Sequence, residues 1–429
     1  MDGAATVRRG TWLVVLVVLI LVAVAVGLAL RGGPVQRTDA VAIAAPRAAT
    51  GQPLMAPAAV VDYQQLDARL KALMQEPDMV GLAVGTIEAG QVRFVRAYGE
   101  TLAQSKDPVT PDTVFRWASL SKSIASAVVV GLAAEGKLSL DAPLATLGTT
   151  LALPGGTRAI TVADVLSHRL GLPHNAWDDR LEAGEDPRML RASFATLKPE
   201  CPPATCYAYQ NIAYDTATEV VERVTGRDYA TVARARLFVP LGMDHATIGR
   251  QGLESAASWA RPHRHNKVST TVNDSYYRVP AAGGVNSSIR DLLRWMGAQM
   301  GDAPAVLSPA SLDMMHRSRV PTPPHRRRGA MDRALADPAY GLGWRTYRYA
   351  GHALVGHRGS VDGYGSLILF DPAARSGIVM LWNSNTAMPA RAQLEFFDLL
   401  YGLPRTDWLA LSAPPAPPAR ADAEVQTAP

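Results

Sequence analysis

Phe115-Arg116-Trp117-Ala118-Ser119-Leu120-Ser121-Lys122-Ser123, running on into Ile124–Glu135, is the stretch from which the rest of the chain can be placed. It reads as a loop that delivers a serine onto the first turn of a buried helix. Ile124, Val128 and Leu132 recur at four-residue spacing, and Val129 and Ala133 widen the apolar stripe. Gly136 supplies a stop just after the last periodic residue. Ser119 and Lys122 are three apart, so on a helix they share a face. A serine hydroxyl becomes a nucleophile when a neighbour takes its proton, and a desolvated lysine with a lowered pKa can do so. By itself Ser-x-x-Lys carries little weight. Roughly one such match is expected by chance in a chain of this length, and the plain reading is an N-capping serine with a solvated lysine one turn on.

The bulk properties narrow the class. A chain of 429 residues, 48% hydrophobic and 19% charged, can bury a large core in two or three compact units. The net charge of +5 is mild. The strongest basic run, His325-Arg326-Arg327-Arg328, has no interleaved aromatics and sits near prolines, so it reads as a solvated loop and not as a nucleic-acid surface. Two cysteines, Cys201 and Cys206, stand in Cys-Pro-Pro-Ala-Thr-Cys. That spacing suits a small local disulfide in an oxidising compartment. A metal pair is the rival reading, but it would have to recruit His168 or His174 from elsewhere in the chain.

The N-terminal part has its own logic. Arg8 and Arg9 precede Trp12–Leu30, an uncharged run of 19 residues that is long enough to cross a bilayer as a helix. Basic residues on that side predict a cytoplasmic N-terminus (1–11), a signal anchor (12–30) and a catalytic unit outside the membrane, in the periplasm. Secretion after cleavage of a signal peptide is the alternative. Residues 31–60 read as an Ala/Pro/Gly-rich tether, and 405–429 as a Pro/Ala-rich tail.

Between these lies the folded unit, 61–404. Met79–Thr86 and Gln91–Tyr98 read as strands around the turn Glu88-Ala89-Gly90. Thr161–Ser167 starts as a helix with Thr161 as N-cap and Asp164 three residues on. Tyr214–Val224, Tyr229–Leu237 and Ile289–Met300 are further helices. Residues 317–339 read as a basic, Pro-rich connection. Strand character returns in Tyr340–Tyr349, His352–His357, Gly365–Phe370 and Gly377–Trp382, and Arg391–Tyr401 closes as a helix before Gly402. Strands at both ends with helices between predict an α+β fold. Its central antiparallel sheet is built from the N- and C-terminal segments and flanked by helices, with a mostly helical insertion at roughly 140–330.

Two further motifs fix the resemblance. Tyr209-Gln210-Asn211 is the only Tyr-x-Asn in the chain, and His357-Arg358-Gly359, the only His-x-Gly, lies at the end of a predicted strand. In this order Ser-x-x-Lys, Tyr-x-Asn and Lys- or His-x-Gly resemble the signature of the serine β-lactamase and penicillin-recognising enzyme superfamily. Class C β-lactamases, D-alanyl-D-alanine carboxypeptidases and related esterases look closest. Gly136–Asp141, Leu166-Ser167-His168, Gly171-Leu172-Pro173, Pro240–Met243 and Gly283–Ser288 are also similar to family blocks. The resemblance covers about 63–402 and implies a β-lactamase/transpeptidase-like fold.

By that resemblance, Ser119 is acylated, and Lys122 and Tyr209 share the base and relay work. Asn211 donates to the substrate's amide oxygen and orients Lys122. His357 takes the place of a lysine, to orient substrate or assist the relay. Gly359 lets the substrate backbone approach. The backbone N–H groups of Ser119 and Ser360 form the oxyanion hole. No metal or other cofactor is implied. Arg358 departs from the family pattern, which has a small hydroxyl residue there. It could hold a substrate carboxylate in a paired hydrogen bond or point away from the cleft. The expected function is a membrane-anchored serine hydrolase that cleaves a β-lactam or D-Ala-type amide through an acyl-enzyme. The alternatives are a carboxylesterase on the same fold and a catalytically inactive envelope sensor or scaffold. The expected partners are a small-molecule or peptide substrate and the membrane, with no nucleic acid. Oligomeric state is not legible.

Overall fold

The computed structural model describes residues 58–323 and 329–411. The expectations placed on 1–57, on the basic run 324–328 and on the tail beyond 411 lie outside the described residues. Among the described residues, no helix is long and apolar enough to cross a membrane.

Among the described residues, eleven strands form two sheets. They are β1 (Gly81–Glu88), β2 (Gln91–Gly99), β3 (Phe115–Arg116), β4 (Thr247–Ile248), β5 (Val285–Ser287), β6 (Val320–Pro321), β7 (Ala336–Tyr340), β8 (Arg345–Tyr349), β9 (His352–Val361), β10 (Tyr364–Asp371) and β11 (Ser376–Trp382). The main sheet runs β2-β1-β11-β10-β9-β8-β7-β6, with β3-β5-β4 as a small second sheet. The main sheet is antiparallel throughout. The two chain ends meet where β1 pairs with β11, from Leu82 opposite Trp382 to Ile87 opposite Gly377. The expected sheet built from both ends is therefore present.

Alternation within the central strands explains why they are apolar on both faces. Leu82, Val84, Leu367, Leu369, Ile378 and Met380 turn to one side and pack against helices α1 (Tyr63–Leu73) and α5 (Ala392–Tyr401), through Leu66, Leu70, Leu394 and Phe397. Ala83, Ile368, Phe370, Val379 and Leu381 turn to the other side and join the core of the helical region. At the centre of that region lies α2 (Ser121–Ala134), with 11 of its 14 residues buried. Helices α3 (Thr216–Thr225) and α4 (Ile289–Gln299) pack around it, and the Trp295 indole donates to Ser123 Oγ at 3.0 Å. The β1–β2 turn has Ala89 and Gly90 both at positive φ, the backbone twist that a tight hairpin demands. Thr161 and Asp164 form the expected reciprocal cap.

The structure redraws several elements. Tyr340–Tyr349 is two strands, because Gly341–Trp344 turns between them. A β-carbon on Gly343 (φ +73°) would come within 2.6 Å of Lys122 O, so the turn presses directly on the serine helix. The stretch 317–339, read as a connection, holds β6, the helix Ala330–Ala334 and the start of β7. Strand β9 continues past His357 to Val361, because its pairing with β10 persists to Val361 opposite Tyr364. His357-Arg358-Gly359 thus lies inside a strand. The predicted helix Tyr214–Val224 is divided at Asp215, with a short turn Asn211–Tyr214 ahead of α3. Strands β3, β4 and β5 are two or three residues long, too short to show a period.

Candidate active site

Ser119 sits in a 3-10 turn, Ala118–Leu120, immediately before α2. Ala118 holds φ of +48°, an uncommon conformation for a residue with a β-carbon. The turn is fixed from both sides. Ser121 Oγ donates to Ala118 O at 2.6 Å, and Ser366 Oγ on β10 donates to Trp117 O at 2.6 Å. Strand β9 lies against the same turn. A β-carbon on Gly359 would stand 2.4 Å from Trp117 O and 3.1 Å from Ser119 N. The glycine is therefore required by the packing of strand on turn, a different reason from the expected approach of a substrate backbone. Ser360 follows it, exposed at the rim of the cleft.

Lys122, fully buried, projects from the first turn of α2. Its Nζ donates to Asn211 Oδ1 at 2.7 Å, to Ala282 O at 3.1 Å and to Ser119 Oγ at 3.4 Å. Burial pulls its pKa down to about 7, against the nearby carboxylate of Asp178. Tyr209 arrives from a loop. Its hydroxyl donates to Ser119 Oγ at 2.8 Å, and its ring lies 4.6 Å from Lys122 Nζ. The loop is held where Asn175 N donates to Tyr209 O at 2.8 Å and where the buried His168 ring packs 4.3 Å from the Tyr209 ring. Burial raises the Tyr209 pKa well above its ordinary value, so the phenol stays protonated despite the lysine beside it. The amine and phenol named from two separate motifs thus meet within hydrogen-bonding distance of the Ser119 oxygen.

These groups open into a cleft of about 550 Å³ lined by, among others, Ser119, Tyr209, Asn211, Arg345, His357 and Ser360. His357 has both ring nitrogens engaged inside the protein. Nδ1 lies 2.8 Å from Arg358 O and Nε2 lies 3.0 Å from the Tyr340 hydroxyl. A carbonyl can only accept, so Nδ1 carries the proton and Nε2 accepts from Tyr340. Burial, with Arg345 and Lys122 nearby, keeps this imidazole neutral. Arg358 lines the cleft but donates to Asp332 Oδ1 at 2.5 Å, so its charge is already answered. Cys201 and Cys206 are joined as a disulfide, which removes the metal reading of that pair.

Sequence reasoning missed four contributors. Asp178 accepts from Asn211 Nδ2 at 2.7 Å, and burial raises its pKa to about 6. Arg345 lies 5.5–5.8 Å from the ring centres of Tyr207, Tyr209 and Tyr340 and donates to the Tyr207 hydroxyl at 3.0 Å. Tyr340 backs His357, and Ala282 contributes a carbonyl. None of these lies in the three motifs. Only the neighbouring Gly283-Gly284 block hinted at the last.

Fold and site together define a protein of the serine-hydrolase class. The family model described as Beta-lactamase matches residues 66–403, and the chain belongs to that family. An unguisins hydrolase of Aspergillus campestris is 30% identical over 325 residues, covering 71% of this chain and 58% of the relative. Penicillin-binding protein 4 of Amycolatopsis lactamdurans is 26% identical over 375 residues, covering 83% of this chain and 94% of the relative. The chain thus spans less than two thirds of the length of the first relative and nearly all of the second. Among solved structures, the octameric penicillin-binding protein homologue from Pyrococcus abyssi superposes with a TM-score of 0.70 at 24% identity, over 80% of this chain and 78% of that one. A D-stereospecific amidohydrolase from Streptomyces sp. gives 0.61 at 22%, over 76% and 97%. These two likenesses show the fold.

Proposed function

We propose that the chain is a serine hydrolase that opens an amide, a β-lactam or a D-Ala-type peptide, through an acyl-enzyme on Ser119. The observation that carries the reading is the convergence of Tyr209 and Lys122 on Ser119 Oγ, at 2.8 and 3.4 Å, at the wall of an open cleft. Ser119 Oγ bonds to the carbonyl carbon as its proton passes to the neutral Lys122 amine. The oxyanion is met by the backbone N–H groups of Ser119 and Ser360, each worth about 3–4 kcal/mol in such sites. Collapse breaks the carbon–nitrogen bond, and the leaving nitrogen takes the Tyr209 hydroxyl proton, which the Lys122 ammonium then replaces. The raised Tyr209 pKa favours this order, with lysine as the resting base and the phenol as the shuttle. Water then hydrolyses the acyl-Ser119 ester. The penicillin-binding relative, matched over nearly its whole length, supports the substrate class. The basic-then-apolar N-terminus supports a membrane-anchored, extracytoplasmic placement.

A second reading, a carboxylesterase using the same residues, draws on one observation. Arg358, where the family has a hydroxyl residue that helps to hold a carboxylate, is already paired with Asp332. Fluorescent penicillin is expected to label the wild type and not Ser119→Ala, and equal labelling of both rejects the acyl-enzyme. Strong turnover of short acyl esters, with no action on nitrocefin or D-Ala-D-Ala peptides, selects the esterase.

A further inference from the structure

We infer that Asp178 is a positioning residue that sets, through the Asn211 carboxamide, which way the Lys122 amine faces Ser119. The inference rests on Ser119 being the nucleophile and deepens that reading.

The argument is one of donors and acceptors. A protonated Lys122 has three N–H groups, and three oxygens receive them: Asn211 Oδ1, Ala282 O and Ser119 Oγ. The neutral amine keeps two N–H groups and gains one lone pair. With both N–H groups held by the oxygens of Asn211 and Ala282, the lone pair is left facing Ser119, the direction in which a base must point. This holds only while Asn211 presents its oxygen. Turned over, the carboxamide would offer its NH2, and the amine would accept from Asn211 instead. Lys122 cannot prevent this, because a neutral amine both donates and accepts. Asp178 can, because an ionised carboxylate only accepts. Its Oδ2 takes Asn211 Nδ2 at 2.7 Å, which leaves Oδ1 of Asn211 towards the lysine. The Tyr276 hydroxyl lies 3.4 Å from Asp178 Oδ2 and gives its one proton to Glu182 Oε1 at 2.8 Å, one turn along the same short helix.

Other charged and titratable groups face Lys122. They are Asp215 from the start of α3, Arg345 from β8, His357 from β9, His168 from the loop under Tyr209, and the rings of Tyr209 and Tyr214. Among the charged groups, Asp178 opposes the lowering of the lysine pKa most. Removing its charge therefore has two separable effects. The base is misaimed, so the maximal rate falls. The lysine loses a proton more easily, so the acid limb of the rate profile moves to lower pH.

The test uses the full-length chain and measures the second-order rate of labelling by a fluorophosphonate across pH. Asp178→Asn is expected to lower the plateau about tenfold or more while its acid limb shifts down by roughly half a pH unit. Asp178→Glu restores part of both. In an Asn211→Ala background, Asp178→Asn costs less than about twofold at the plateau, because its route to the lysine is gone. A plateau within about twofold of wild type with an unmoved limb overturns the inference, as does an undiminished loss in the Asn211→Ala background. If Asp178→Asn does not fold, Asp178→Ser, which also removes the carboxylate, serves. A fall of about twofold or more with the limb displaced downward supports the inference, and a wild-type profile overturns it. Labelling that persists in Ser119→Ala strikes the proposed function. Labelling lost there, beside an unmoved Asp178→Asn profile, strikes only the role of Asp178.

Discussion

Arg191 and Lys122 are both cations buried in the helical region, and the protein treats them in opposite ways. Arg191, 3% exposed, is clamped by two carboxylates, Asp215 at 2.9 Å and Glu219 at 2.7 Å, and donates through Nε to Thr150 Oγ1 at 3.0 Å. Lys122 is buried more completely, yet its amine meets only neutral oxygens. Both sites bear the cost of removing a cation from water. At Arg191 counter-charge offsets it, and the result is a staple between the helix Pro187–Ser193 and α3. At Lys122 the cost is left largely standing, so the group gives up its proton near neutrality, as the base of the proposed reaction must. The difference lies in the partners, because burial is common to both.

Substitution at each site tests this contrast most severely. Lys122→Met retains an unbranched apolar stem and is expected to lower fluorophosphonate labelling by about 10³-fold or more. Its stability should change little, because a desolvated charge is removed while Asn211 Oδ1 and Ala282 O lose a donor. Arg191→Met leaves two buried carboxylates unpaired and is expected to cost about 3–5 kcal/mol. Labelling per folded molecule should stay within about threefold of wild type. Urea midpoints and labelling rates on the same samples decide. If both variants lose stability equally and activity equally, the two cations do the same job and the contrast fails.

A gentler probe sharpens the same difference through pH. The ordinary lysine value is 10.5 and the folded value is about 7. Between them the unfolded chain binds a proton that the folded chain does not, so stability rises with pH across that window and is flat below it. The rise amounts to a few kcal/mol. It should be absent from Lys122→Met, and so appear as the difference between wild type and that variant, measured by denaturant unfolding from about pH 7 to 10. Labelling should follow the same group, increasing with pH through about 7 as the amine becomes neutral.

Much of this was legible before any coordinates. The period of Ile124, Val128 and Leu132 gave the helix, and the order of three short motifs gave the groups that meet at Ser119 Oγ. The sheet built from both ends followed from where β-rich runs fall. What stayed hidden depends on contacts made far along the chain. Asp178 matters because it touches Asn211, 33 residues away, and no local pattern marks it. Arg345 begins a strand that periodicity merged with its neighbour, because the intervening Gly341–Trp344 turn is imposed by packing against Met315 and Lys122. His357 was legible as a motif residue but not as a closed one, since the Tyr340 hydroxyl that occupies it lies on β7, two strands away across β8.

The smallest expected effect concerns the loop that brings Tyr209 to the lysine. Cys201 and Cys206 close a ring with a sequence separation of only 5, so their bond constrains the unfolded chain by no more than about 2 kcal/mol. The loop has other supports. Glu200 N donates to Gly171 O at 2.9 Å, Ala204 N to Arg169 O at 2.7 Å, and Ala208 N to His168 O at 3.0 Å. A β-carbon on Gly171 would meet Cys201 O at 2.4 Å, so the loop lies flush on that residue. Tyr209 is held further on, by Asn175 and by the His168 ring. The double variant Cys201→Ser, Cys206→Ser should therefore lose at most about 2 kcal/mol in denaturant unfolding and label within about twofold of wild type. A loss of labelling of about tenfold with the fold intact would mean that the covalent bridge, and not the packing beneath it, sets the distance from phenol to serine. Lys122 would then depend on a staple of its own, one step removed, and the two buried cations would differ less than their immediate partners indicate.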